Sequence, residues 1–239
     1  MSSRPVFLAA LGAVAGAVAL PGLRAEAGAS AGQFGSGGLD PWSGMLKAIT
    51  PDSKIRATLA ADGVFAFGDS IARQDSVPLA SEVYNRLGLL MAVNYWNGRP
   101  AGPAVDALAQ WAATYGLPSR VLMATGSNDI YNPPAFRAQV DRAMSIAGPD
   151  RRVVWVNVHV SRWRYSTSVQ VADQRNSGWI NIQLAQAAAV HPNLVVVDWA
   201  RLLADYPFYR IPNYLSDGVH TSVPAGQAAR NAMIVQALA

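Results

Sequence analysis

Cysteine is absent from this 239-residue chain. That excludes disulfides and a lipid-modified cysteine behind a leader. Histidine is scarce, three in all, and none stands at ligand-like spacing, so no metal site or other cofactor is expected. Charge is thin as well: Asp, Glu, Lys and Arg make up 14% of residues. No block of Lys or Arg stands out, so the net charge of +4 does not read as a nucleic-acid-binding surface. It suits at most a mild attraction to anionic envelope polymers. No internal repeat, lid segment or lipid-binding helix is apparent, which leaves true lipase action unsupported. What the chain has in quantity is apolar surface. Hydrophobic residues make up 51%, enough for one domain with a sizeable core.

The N-terminus has the layout of a secretory signal peptide. One Arg lies within Met1 to Pro5, Val6 to Leu20 is apolar, and Ala25-Glu26-Ala27 offers a small-x-small cleavage site. Cleavage after Ala27 is expected, with residues 1–27 removed and no stable membrane insertion afterwards. The apolar run is short for a span and full of Ala and Gly. A single Arg ahead of it excludes a twin-arginine signal. The expected location is therefore outside the cell or in its envelope. Gly28 to Gly38 is rich in Gly, Ala and Ser. Residues 28–54 read as a flexible linker and lead-in, and residues 55–239 as the folded domain.

Within the domain, short apolar runs alternate with helical patterns. Strands are expected at Val64–Phe67, Leu89–Tyr95, Arg120–Ala124, Arg152–Val160 and Leu194–Val197. Helices are expected at Pro78–Leu87, from about Val105 to Gly116, at Phe136–Ile146, at Asn176–Val190 and from Pro224 to Ala237, with a loop over Ile71–Val77. Such alternation implies right-handed βαβ units. The expected fold is α/β, a three-layer α/β/α sandwich on a five-stranded parallel sheet.

The organising stretch is Gly68-Asp69-Ser70, directly after the first strand. Gly68 permits a sharp turn. Ser70 stands at a strand's C-terminal end, the edge where open α/β sheets bind ligands. There it is a candidate nucleophile beside a helix N-terminus, or simply part of a capped helix start. Gly98 follows the second strand, and Gly126-Ser127-Asn128-Asp129 the third, so these loops open on the same edge. Asp217-Gly218-Val219-His220 precedes the last helix. Asp and His three apart can touch, and a carboxylate there orients a histidine that takes a proton from Ser70. Asn128 offers an amide donor and Gly98 a backbone N–H, the parts of an oxyanion hole.

Gly68-Asp69-Ser70, Gly98, Gly126-x-Asn128-Asp129 and Asp217-x-x-His220 resemble, in order, the four blocks of the SGNH (GDSL-like) hydrolase superfamily. The resemblance spans about residues 62–237 and implies the SGNH, flavodoxin-like sandwich. It implies Ser70 as nucleophile, His220 as general base, Asp217 as its orienting partner, and an oxyanion hole of the Ser70 and Gly98 amides with Asn128. Gly-x-Ser-x-Gly is missing, and Asp217 and His220 lie close together, both unlike the α/β-hydrolase order. A narrower likeness exists. Gly98-Arg99, Val197-Asp198-Trp199 and Asp217 to Thr221 are similar to the SGNH domains of acyltransferases that O-acetylate cell-envelope polysaccharides. Asp129 departs from that group, which often has Gly at this position.

The expected activity is an exported serine esterase acting on short acyl esters, of a glycan or a small molecule, as a monomer. Two alternatives stay open: an O-acyltransferase using the same acyl-serine, and a non-catalytic envelope-binding protein. Arg99, Tyr131, Trp163, Arg164, Tyr165 and Tyr209 are candidates for the substrate rim, since aromatic rings stack on sugars. Asp129 is expected to hold its loop, His159 to be structural, and His191 to lie on the surface.

Overall fold

The computed structural model describes residues 32–239. The expected signal peptide, residues 1–27, lies outside them. A six-stranded sheet runs in the order β1-β3-β2-β4-β5-β6. Its members are β1 (Lys47–Ile49), β2 (Val64–Gly68), β3 (Met91–Trp96), β4 (Arg120–Ala124), β5 (Arg152–Val156) and β6 (Leu194–Val197). Pairings among β2 to β6 are all parallel.

Side chains on β2 alternate between two buried layers, as the two-residue repeat of a strand requires. Phe65 and Phe67 pack with α1 (Asp52–Ala60), α3 (Ala101–Tyr115), α4 (Phe136–Ala147) and α5 (Thr167–Ala188). Val64 and Ala66 pack with α2 (Ser70–Leu87), α6 (Trp199–Asp205) and α8 (Ala225–Leu238). A sheet covered on both faces explains the near-continuous apolar strands. From β2 the chain crosses to β3 on one side and later to β4 on the other. The strand order therefore reverses at β2, which opens a crevice beyond its C-terminal end. Ser70, Gly98 and Gly126 all lie on that edge.

The five-strand expectation needs one correction. β1 is a sixth strand, antiparallel to β3, with Ala48 opposite Tyr95. Three residues are too few to show a periodic pattern. The linker expectation also changes over residues 32–54. Ser36 is buried. The Phe34 carbonyl accepts from Asn176 Nδ2 at 3.0 Å, and Trp42 meets Trp96 edge-on at 5.1 Å. α1 begins at Asp52. Side chains from distant elements hold this Gly/Ser-rich stretch, and composition alone does not show them.

Helix α2 starts at Ser70 and runs through Pro78, so the expected loop at 71–77 is helical. A proline removes one helical bond but need not end a helix whose apolar face is well packed; Ile71, Ala72, Leu79 and Val83 are buried. Strand β5 stops at Val156, four residues short of expectation. Beyond it α5 side chains take the backbone bonds: Val158 N–H donates to Asn181 Oδ1 (3.0 Å) and Val160 N–H to Ser177 Oγ (3.1 Å). Helix α7 (Pro207–Tyr214) and α6 were not expected. Among the described residues no helix is long and apolar enough to cross a membrane.

Candidate active site

Ser70 is the first residue of α2. Asp69 caps that helix, its Oδ1 accepting from Ile71 N–H at 3.0 Å. Gly68 is required just before it, since a Cβ there would stand 2.8 Å from the Ala124 carbonyl oxygen. Asp69 is fully buried, and desolvation raises its carboxyl above the ordinary value while the Arg230 charge opposes the shift.

His220 reaches this serine from a loop ahead of α8. Its Nε2 lies 2.8 Å from Ser70 Oγ. Its Nδ1 lies 2.8 Å from Asp217 Oδ2. The other carboxylate oxygen, Oδ1, accepts from Val219 N–H (2.9 Å) and His220 N–H (2.8 Å). The contact thus comes from a tight turn folded back on Asp217. A bridge between Leu215 and Thr221 closes the base of this loop, and Ser216 N–H donates to the His220 carbonyl at 2.9 Å. Gly218, at φ +88°, packs against the Ser161 backbone with no room for a side chain.

Charge in the relay follows from these bonds. Burial pushes Asp217 up, but His220 and the two backbone N–H groups outweigh it and hold the carboxyl at about 2. The Asp217 hydrogen bond raises His220 above its ordinary 6.5, with burial opposing. Asp217 therefore stays ionised while it orients the ring, and the free Nε2 of the neutral form faces Ser70.

Asn128 sits in the 3₁₀ turn Ser127–Tyr131 and donates from Nδ2 to the Arg99 carbonyl at 3.4 Å. This brings Asn128 beside the Gly98–Arg99 turn. Gly98 has φ +72°, a conformation that favours glycine. Ser70, Asn128, Asp217 and His220 share one cleft of about 240 Å³, which Ile130, Tyr131, Val160, Arg162, Arg164, Tyr165 and Val219 complete. Asp129 faces away from it. Its carboxylate accepts from Ala101 N–H at 2.9 Å, capping α3 in place of Pro100, and burial pushes it up to about 7.

Three rim candidates, Arg99, Trp163 and Tyr209, move out of the cleft. Arg99 is 1% exposed. It donates to Asn94 Oδ1 at 2.7 Å, to the Gly68 carbonyl at 2.9 Å and to the Asn94 carbonyl, tying the ends of β2 and β3 together. Burial lowers its guanidinium to about 10. An arginine next to a turn glycine looks exposed in sequence, but here it satisfies strand-end carbonyls. Trp163 packs outside the cleft, its backbone N–H donating to the Asp217 carbonyl at 3.2 Å. Tyr209 is exposed on α7, away from the cleft.

Tyr131 and Tyr165 do line the cleft, joined by a residue the sequence reading overlooked. Arg162 lies 4.4 Å from the Tyr165 ring centre and 5.3 Å from that of Tyr131, and donates to the Tyr131 hydroxyl at 2.9 Å. Burial opposes its charge, but two bonds to the buried Asp173 (2.8 and 2.7 Å) keep it raised above the ordinary value. The only signal in the sequence is an acid inside α5, eleven residues on. His159 lies outside the cleft, in a small buried space with Asp69 and Arg230, and burial lowers it. His191 pairs with Asp141 at 3.0 Å at the surface. No group of three or more acids and histidines able to hold a metal ion occurs among the described residues.

No protein-family model matches the chain, and no curated protein does. Solved structures match well in shape. The C-terminal catalytic domain of Streptococcus pneumoniae peptidoglycan O-acetyltransferase A aligns at TM-score 0.58 and 18% identity, over 74% of this chain and 93% of that one. A member of the lipolytic G-D-S-L family from Veillonella parvula aligns at 0.59 and 18%, over 73% and 96%. A protein from Slackia heliotrinireducens described as an SGNH hydrolase aligns at 0.57 and 20%, over 74% and 98%. The chain thus has the fold of the SGNH, or GDSL-like, hydrolases.

Proposed function

We propose that the chain is an exported SGNH-type serine esterase that removes short acyl groups through an acyl-serine. One observation carries this reading: Asp217, His220 and Ser70 form an unbroken relay with both links at 2.8 Å, in the crevice where the strand order reverses. Neutral His220 takes the Ser70 hydroxyl proton as Oγ attacks the ester carbonyl. The resulting imidazolium is stabilised by ionised Asp217. The Ser70 and Gly98 amides and the Asn128 side chain hold the oxyanion. His220 then gives its proton to the departing alcohol. Water attacks the acyl-serine, His220 accepts the water proton and returns it to Ser70, and the acid leaves.

The cleft supports a small acyl group. Its volume of about 240 Å³ falls below the roughly 300–1,000 Å³ of typical small-molecule pockets. Tyr131 and Tyr165 form an aromatic wall suited to a sugar ring in the alcohol part. Ser70→Ala tests the reading on p-nitrophenyl acetate. Loss of nearly all turnover in a folded variant is expected, and unchanged turnover overturns it.

A second reading is transfer of the acyl group to a sugar hydroxyl. The likeness to the O-acetyltransferase domain favours it. The chemistry is the same until the acceptor replaces water, and product analysis with an added glycan separates the two. A non-catalytic binding role predicts no labelling of Ser70 by a fluorophosphonate.

A further inference from the structure

The Ser70–His220 contact joins residues 150 apart in the chain. Within the relay only the Nε2–Oγ contact itself joins the His220 loop to α2, because Asp217 lies on the same loop as His220. The link comes from the next residue. Thr221 is 1% exposed, and its Oγ1 donates to Asp75 Oδ1 at 2.8 Å. Gln74 Nε2 donates to the Thr221 carbonyl at 2.8 Å and to its Oγ1 at 3.1 Å. Asp75 is fully buried and is itself held from α8, by Gln227 Nε2 at 3.1 Å and Arg230 at 3.4 Å. Gln74 and Asp75 stand on the same helix as Ser70, little more than a turn further on.

We propose that Gln74 and Asp75 act through Thr221 as positioning residues, so that α2, which carries the nucleophile, also sets the distance and angle of its base. This assignment rests on the serine-relay reading above. A helix bonded to the residue next to His220 leaves little freedom along the Nε2–Oγ line. A misplacement of about 1 Å at such a site lowers turnover roughly 10²-fold. A burial role alone would not need two polar side chains converging on one threonine.

The test is Thr221→Val, which keeps the shape and removes the hydroxyl. On p-nitrophenyl acetate kcat should fall about 10- to 100-fold with KM within about threefold. Thr221→Ser, which restores a hydroxyl, should return kcat to within about threefold of the parent. Asp75→Asn adds a readout that packing does not move. The charged groups around His220 are Asp217 on its own loop, Asp69 and Asp75 from the α2 side, Arg230 from α8, and Arg162 and Arg164 across the cleft. Removing the Asp75 charge lowers His220, so the acid limb of kcat/KM moves to lower pH. If Thr221→Val fails to fold, Gln74→Met replaces it, with the same kcat loss at constant KM expected.

Folded variants with parental kcat and an unmoved acid limb overturn the positioning role. An equal fall for Thr221→Val and Thr221→Ser does so too. Failure of the esterase reading looks different, because the parent protein itself would then show no turnover and no fluorophosphonate labelling.

Discussion

Gly218→Ala is a one-methyl perturbation of the loop that carries Asp217 and His220. At φ +88° an L side chain is strained whatever the space, by about 1–3 kcal/mol. Space is lacking too. The new Cβ would stand 2.7 Å from the Ser161 carbonyl carbon and 2.9 Å from Trp163 Cδ1, with the Ser161 oxygen nearer still. Ordinary contact begins at 3.4 Å, so the two loops must part by 0.7 Å to clear the carbonyl carbon and by more to clear its oxygen. Two hydrogen bonds span that seam, Ser161 N–H to the Gly218 carbonyl at 2.9 Å and Trp163 N–H to the Asp217 carbonyl at 3.2 Å. Each contributes about 1 kcal/mol, so with the strain the expected loss of stability is about 3–5 kcal/mol. The catalytic effect should exceed the stability effect. A shift near 1 Å in the Asp217 loop displaces His220 from Ser70 and lowers kcat about 10²-fold. Urea unfolding gives the first quantity and steady-state hydrolysis of p-nitrophenyl acetate the second. A variant within twofold of the parent in kcat and within 0.5 kcal/mol in stability would refute the reasoning, because the loop would then tolerate a displacement the relay should not.

Four further outcomes follow from the same geometry. Asn128→Ala should lower kcat about 10²- to 10³-fold with little change in KM, the signature of a donor used only in the transition state; less than a threefold effect removes Asn128 from the oxyanion hole. Activity should rise with pH through a midpoint above 6.5, since His220 is raised and must be neutral to accept a proton, and a midpoint at or below 6.5 contradicts this. The pair also acts on stability in opposite senses. Asp217, held near 2 against an ordinary 3.8, contributes fully above pH 3.8 and loses its contribution as pH falls through about 2. His220 contributes fully below 6.5 and loses its contribution as pH rises through its raised value, which thermal unfolding across pH can trace. Arg162→Gln should destabilise by about 3 kcal/mol, because Asp173 is fully buried and loses its cation; adding Asp173→Asn should restore part of that, and additive losses would deny the coupling.

The sheet was legible where short runs apolar on both faces are bounded by polar or turn residues. Strands β2, β4 and β6 begin and end within a residue of the pattern. The edge strand was not, because Lys47–Ile49 gains its stability from pairing with β3 and not from its own sequence. Ser70 and Asn128 could be singled out because short polar motifs after apolar runs mark the C-terminal sheet edge, Asp217 and His220 because an acid and a histidine three apart precede the last helix, and the structure gathers all four in one cleft. Arg99 misled for the opposite reason. Burial of a cation depends on carbonyls at Gly68 and Asn94 that only the folded strands bring together. The Arg162–Asp173 pair and the Thr221–Asp75 bond are likewise products of tertiary packing, spanning 11 and 146 residues. No periodicity records such partners.

The central claim is that Ser70 carries the acyl group. Intact-mass spectrometry with peptide mapping, after incubation with an activated acetyl ester, tests it most directly, with and without an envelope-type oligosaccharide. The account predicts an acetyl adduct on Ser70 that clears quickly in water alone. An adduct that persists until the sugar is added, and then moves to the sugar, would make transfer the reaction. No adduct on Ser70, or an adduct that survives Ser70→Ala, would contradict the account.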